Sequence, residues 1–205
     1  LVSLVASTSR NTLNNSVNPT SGNKLTLATE QFVSMGNNSP TFNRIRSSYS
    51  FFIPARLINL TKECRSKDLS NEDCPQAVGF QFKAGTIFGE IPPYEAFCMG
   101  GSSSVRGWGS CGLSVSKSFI EGTAEYRFPV WRMISAALFA DAGTDIGSQS
   151  NVPGKPGKLL KKSGSGFSLG GGLGVKTPVG PLRLDIASKD FGDDWRYTLG
   201  VGWKF

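Results

Sequence analysis

One arginine and two carboxylates carry most of the chemistry this sequence offers. Arg106 stands in the run Gly100-Gly-Ser-Ser-Ser-Val-Arg-Gly-Trp108, and Glu125 and Asp141 follow on two later alternating segments. A guanidinium facing carboxylates makes oriented, bidentate ion pairs that a lysine cannot reproduce. Such pairs hold a structure; they do not turn over a substrate. The 205 residues also contain no histidine, which removes the Ser-His-Asp and Cys-His nucleophiles and every zinc site that needs an imidazole. The expectation is a protein that is not an enzyme and uses no metal or cofactor.

The remaining reactive groups add little. Cys64, Cys74, Cys98 and Cys111 are too widely spaced for a Cys-x-x-Cys redox or zinc site. Cys64 and Cys74 bracket a polar stretch and either form a disulfide in an oxidising compartment or remain minor free thiols. The net charge of +7 is spread along the chain, which argues against nucleic acid as a partner. The densest basic run, GKPGKLLKK at 154 to 162, has Pro156 where a phosphate-binding loop needs Ser or Thr and a helix.

The elements that must position Arg106 and its partners read as strands. Period-2 alternation recurs from end to end and no helical period is sustained. In FIEGTAEYRF, Ile120, Ala124, Tyr126 and Phe128 oppose Glu121, Thr123, Glu125 and Arg127; in PLRLDI, Leu182, Leu184 and Ile186 oppose Arg183 and Asp185. FSLGGGLGVKT sets Phe167, Leu169, Leu173 and Val175 against Ser168, Gly170, Gly172 and Gly174. In WRYTLGVGWKF, Trp195, Tyr197, Leu199, Val201, Trp203 and Phe205 share one face. Further strands are expected near 1 to 10, 23 to 34, 42 to 53, 77 to 88 and 132 to 142. That makes roughly nine, each about the 10 residues a spanning strand needs.

Alternation fits a soluble sandwich as well as a membrane barrel. Three features favour the barrel. Tight turns (129 to 131 and 177 to 181) alternate with longer loops (89 to 114, 144 to 165, 188 to 194). The polar faces carry charges suited to a wet lumen. Aromatics such as Phe51, Phe52, Phe128, Trp131, Trp195, Trp203 and Phe205 gather at strand ends, as in an interfacial girdle. The long segment 55 to 76 breaks the pattern. No apolar run of 18 residues is present for a membrane helix, and the start at Leu1 without a basic leader reads as a fragment or processed product.

The run GGSSSVRGW resembles the VRG(F/Y) signature in the inward-folded sixth long loop of the BamA-type outer-membrane assembly and translocation superfamily, whose members include two-partner secretion transporters and the chloroplast outer-envelope import channel. AEYRFP (124 to 129) resembles the strand after that loop, FADAG (139 to 143) the Phe-x-Asp-x-Gly of the next, and GLGVKTPVGPLRLDI with its aromatic strand the family's close. SPTFNRIRSSYSFFIP and TDIGSQSNVPGKPG are most similar to the cyanobacterial and chloroplast branch. Trp108 departs from the usual Phe or Tyr.

The resemblance implies an all-β transmembrane antiparallel barrel. Residues 1 to 205 would supply its C-terminal nine or so of sixteen strands, with an in-folded loop at about 89 to 114 and no periplasmic repeat domains. It implies residence in an outer membrane, Gram-negative or cyanobacterial, or in the chloroplast outer envelope. The implied function is insertion of β-barrel proteins, with unfolded barrel precursors, the lipid bilayer and accessory assembly subunits as partners. The alternative is a polypeptide-translocating pore; a soluble all-β binding module is the second.

In that frame the loop motif is Gly100, Gly101, Ser104, Val105, Arg106, Gly107 and Trp108, and the wall it docks on is Glu125, Phe139, Asp141 and Gly143. Gly170, Gly172 and Gly174 are expected to leave room for the tip. For an isolated match the other reading of SVRGW is a flexible hairpin with a solvated arginine, and for Asp141 a carboxylate satisfied by water. TLGVGWKF resembles the β-signal read by assembly machinery through Thr198, Gly200, Trp203 and Phe205, or is an interfacial aromatic anchor. Gly202 is the candidate kink at a lateral seam, or simple packing against a neighbour.

Overall fold

The structure is a computed structural model and describes residues 2 to 33, 40 to 65, 74 to 178 and 180 to 205. Residue 34 of the expected second strand, residues 66 to 73 of the long segment and residue 179 of the expected turn lie outside the described residues.

Among the described residues nine strands form one antiparallel sheet, and each pairs with the next wall strand along the chain. They are β1 (Val2–Asn11), β2 (Gly22–Val33), β3 (Phe42–Pro54), β4 (Ala77–Gly89), β7 (Ser118–Trp131), β8 (Ile134–Thr144), β9 (Ser165–Val175), β10 (Leu182–Ser188) and β11 (Trp195–Val201). Two short strands, β5 (Phe97–Met99) and β6 (Ser114–Ser116), pair inside the long loop between β4 and β7. The sheet is part of a barrel and does not close, since β1 and β11 each have a single neighbour.

Burial is inverted relative to a soluble protein. Glu125, Asp141 and Asp185 are 1% exposed and Arg127 3%, whereas Leu4 is 77% and Leu199 83% exposed. Leu138, Phe167, Leu173, Leu182 and Tyr197 also face outward. Charges within and hydrocarbon without is the arrangement that lipid stabilises. A soluble binding module would need the reverse, and that reading is set aside.

The turn expected at 129 to 131 lies two residues later, at Arg132 and Met133, and Pro129 sits at a bulge in the β7–β8 ladder. Proline has no N–H for a ladder bond, and a bulge accommodates it. The aromatic girdle is incomplete: Trp131 and Trp195 point outward, but Phe52 and Phe128 are buried. The 55 to 76 segment accounts for part of this. A Cys64–Cys74 disulfide closes it, and the backbone N–H groups of Leu57 and Ile58 donate to the Tyr126 hydroxyl, which donates to Gln76. Tyr126 stacks on Phe128 with ring centroids 5.2 Å apart, so the extra length folds back on the β7 wall.

The final strand departs most from the alternation. It ends at Val201, and Gly202 takes φ +81°, a conformation glycine adopts at little cost. Trp203 and Phe205, expected on the outer face with Tyr197 and Leu199, turn inward. Arg127 draws them in: its guanidinium lies 4.8 Å from the Trp203 ring and 5.0 Å from the Phe205 ring.

Candidate functional site: an arginine hairpin seated on the inner wall

Inward parity assembles the wall. In the β7–β8 register Glu121 faces Gly143, Thr123 faces Asp141 and Glu125 faces Phe139. In β8–β9 Phe139 faces Gly170 and Asp141 faces Ser168, and in β9–β10 Gly172 faces Asp185. Side chains two residues apart on one strand share a face, so every carboxylate near Arg106 comes from the same inner surface.

The hairpin descends onto that surface. Gly100 and Gly101 take φ +106° and +101°, which only glycine tolerates readily. Val105 packs with Met99 and Leu113 in a small apolar cluster, with Trp108 against it. Ser104 accepts the N–H of Gly100 and donates to Glu121. A Cβ on Gly107 would lie 2.9 Å from the Ser188 carbonyl carbon, and Val105 rests against the position a Cβ on Gly143 would take. The Trp108 indole N–H donates to the Phe167 carbonyl at 3.2 Å.

Arg106 is at the focus. Nε donates to Asp141 Oδ2 at 2.7 Å and Nη2 to Oδ1 at 3.0 Å, a two-pronged pair, and the Arg106 backbone N–H also reaches Oδ2 at 3.1 Å. Nη1 donates to Glu125 Oε2 at 2.8 Å and to Asp185 Oδ2 at 3.3 Å. The guanidinium carbon sits 3.3 Å from the centre of the Phe139 ring. Burial alone pulls the Arg106 pKa down, but the hydrogen bonds it donates to Asp141 and the charges of Glu125 and Asp141 outweigh it and hold the group above its ordinary value. Arg106 is a permanent cation here.

The expected loop and wall residues thus lie together, and the structure adds others. Glu125 also accepts from Arg127 at 2.7 Å, and Arg183 pairs with Asp185 at 3.0 Å. Lys204, one residue past the inward-turned Trp203, donates to Asp141 Oδ1 at 3.0 Å, to Thr123 Oγ1 at 2.9 Å and to the Ser104 carbonyl. Four cations, Arg106, Arg127, Arg183 and Lys204, therefore meet Glu125, Asp141 and Asp185, while the Ser104 hydroxyl donates to Glu121. Arg127, Arg183 and Asp185 carried a signal in the sequence, their inward parity; Lys204 carried it only if the strand stayed straight. Thr198 and Gly200 face Asp185 and Arg183 across the last pair of strands and do not touch the hairpin.

A second clasp lies at the root of the loop and had no sequence signal. Arg44 of β3 donates to Glu95 Oε2 at 2.6 Å and lies 5.1 Å from the Phe32 ring and 5.7 Å from the Phe97 ring.

The inward glycines make room for side chains of the wall, not for the hairpin tip. A Cβ at Gly170 would meet the Phe139 ring at 2.5 Å and the Ile186 carbonyl, at Gly172 the Asp185 carboxylate, and at Gly174 the Trp203 ring at 3.0 Å. The tip instead lies over Gly166 and Ser168. Gly170→Ala is expected to push Phe139 out from beneath Arg106, destabilising the seated hairpin by about 1–3 kcal/mol. Faster hydrogen exchange over residues 100 to 112 checks it.

The sequence profile of the Omp85 superfamily domain matches residues 1–205. The chain belongs to the Omp85 superfamily. Among Omp85 relatives, outer envelope protein 80, chloroplastic, of Arabidopsis thaliana is 41% identical over 123 residues, 60% of this chain and 17% of that protein. Protein TOC75-4, chloroplastic, of the same plant is 32% identical over 184 residues, 90% of this chain and 41% of that protein. The chain spans less than half the length of these relatives. The crystal structure of BamA from Haemophilus ducreyi lacking POTRA domains 1–3 superposes with a TM-score of 0.68 over 98% of this chain and 42% of that one, at 15% identity, which shows the shared fold. These plant relatives are chloroplast proteins, in keeping with the resemblance to the cyanobacterial and chloroplast branch, and the setting is an outer membrane or the chloroplast outer envelope.

Proposed function

We propose that this Omp85 chain is the C-terminal portion of a sixteen-stranded barrel whose protein inserts β-barrel precursors into the outer membrane or outer envelope. The reading rests on one observation: the Arg106 hairpin and the segment Trp203–Lys204–Phe205 both fill the inner face of the wall and are tied to it through Asp141. A pore that conducts polypeptide needs that inner face clear. An insertase works at its lateral seam, where the outer edge of β11, once parted from the strand it closes on, would capture an incoming strand by β-augmentation. Its partners would be unfolded barrel precursors and the bilayer, with accessory subunits supplying delivery.

Reconstitution tests this. Liposomes holding the full-length protein are expected to fold a urea-unfolded barrel precursor at least about tenfold faster than empty liposomes, a barrier lowered by about 1.4 kcal/mol, read by the heat-dependent gel shift of folded barrels. Peptide-blocked ion currents without faster folding would favour the translocation pore instead.

A further inference from the structure

We propose that the Cys98–Cys111 disulfide is a thiol–disulfide exchange site through which a soluble dithiol controls the Arg106 hairpin. The bond joins Cys98, in β5, to Cys111, three residues before β6, at a sequence separation of 13. The closed loop contains Gly100, Gly101, Ser104, Val105, Arg106, Gly107 and Trp108, so the staple encloses the whole motif and nothing of the wall. Below it the tip is dry: Arg106, Val105 and Met99 are each 1% exposed. The staple itself is not, for Cys98 is exposed and Cys111 half-buried.

The second disulfide supplies the contrast. Cys64 is 5% exposed and Cys74 fully buried, and Gln76 Nε2 lies 3.1 Å from the Cys74 sulfur. Exchange requires a thiolate to reach a sulfur along the bond axis. Only Cys98–Cys111 offers one.

The chemistry balances with a dithiol as reductant. One thiolate of the dithiol attacks the exposed Cys98 sulfur, the S–S bond breaks, and Cys111 leaves as a thiolate. It emerges beside a basic strap, since Lys162 Nζ donates to the Cys111 carbonyl at 2.6 Å and no Asp or Glu occurs from 146 to 184. The second thiol of the reductant then attacks the mixed disulfide, releasing Cys98 and closing the reductant's own disulfide. The protein gains two electrons and two protons, and the dithiol loses them.

Opening the staple leaves the Arg106 ion pairs in place but lengthens the chain that must stay ordered to keep them. Closing a loop of this size restricts the unseated states far more than the seated one. The oxidised form therefore holds the hairpin down and the reduced form lets it lift. The proposal depends only on the seating of the hairpin and is indifferent to whether the protein inserts or conducts polypeptides.

The test uses the full-length protein in detergent, titrated with dithiothreitol, with free thiols mapped by alkylation and mass spectrometry and the hairpin followed by hydrogen exchange. Cys98 and Cys111 are expected to open together, before Cys64 and Cys74, with exchange over 100 to 112 rising about tenfold or more. Exchange in β7 and β8 should stay unchanged, and oxidised dithiothreitol should reverse the effect. Cys98→Ser/Cys111→Ser is expected to show the fast exchange without reductant and to ignore it. Opening of Cys64–Cys74 first, or opening of Cys98–Cys111 with no change in exchange, overturns the proposal; both are read on the wild-type protein and need no variant to fold.

Discussion

Arg106→Ala is expected to unseat the hairpin while the strands of the wall stay paired. The substitution leaves Asp141, Glu125 and Asp185 buried around an empty position, with the Arg106 side chain 0% exposed at the start. Removing one partner of a buried ion pair costs about 3–5 kcal/mol, so exchange and protease cleavage across residues 100 to 112 should rise by roughly two to three and a half orders of magnitude. Arg106→Lys is expected to recover little of this. An ammonium cannot donate to both Asp141 oxygens while reaching Glu125 and lying flat on Phe139. The heat-dependent gel shift of the folded barrel should survive in both variants, because no wall strand loses a ladder bond. A hairpin as protected in Arg106→Ala as in wild type would refute the assignment.

Asp141→Asn carries the second large effect and reaches further. Asp141 accepts from the Arg106 backbone N–H, Nε and Nη2, from Thr123 and from Lys204. The amide keeps the shape but replaces one acceptor by a donor and removes the charge that both cations face. A loss of about 3 kcal/mol or more is expected, with faster exchange in two places separated in sequence, residues 100 to 112 and 203 to 205. Arg106→Ala by itself should loosen the first much more than the second. Combining the two substitutions should cost clearly less than their sum, because each already breaks the same contact. Strict additivity would show that Arg106 and Asp141 do not act as a pair.

Most of the wall was legible in the sequence because a strand has a period of two. Once Glu125 is placed inward, Arg127, Asp141, Arg183 and Asp185 follow from parity and pairing alone. What alternation cannot carry is a break in the backbone. Gly202, the candidate kink, takes positive φ, and Trp203 and Phe205, which the alternation of TLGVGWKF put outside, turn inward beside Lys204; what draws them in is Arg127, 76 residues before Trp203. The Arg44–Glu95 clasp was unreadable because its members stand 51 positions apart in the chain. Cysteine spacing set Cys64 and Cys74 across one polar stretch but could not tell a disulfide from free thiols, and it carried no sign of Cys98–Cys111. The glycine row was read correctly as space but assigned to the wrong occupant, because the size of Phe139 and Asp185 matters only once the register puts them opposite Gly170 and Gly172.

The strands of the wall differ in length, from 14 residues in β7 to seven in both β10 and β11. At about 3.3 Å per residue and a tilt near 40°, seven residues rise only about 18 Å, well short of the roughly 25 Å apolar band of an outer-membrane barrel. Lipid packed against that edge has to compress or expose its tails, each at a modest cost per ångström of mismatch. Lipid is thus expected to be thinnest and least ordered beside β10 and β11, the two shortest strands of the wall.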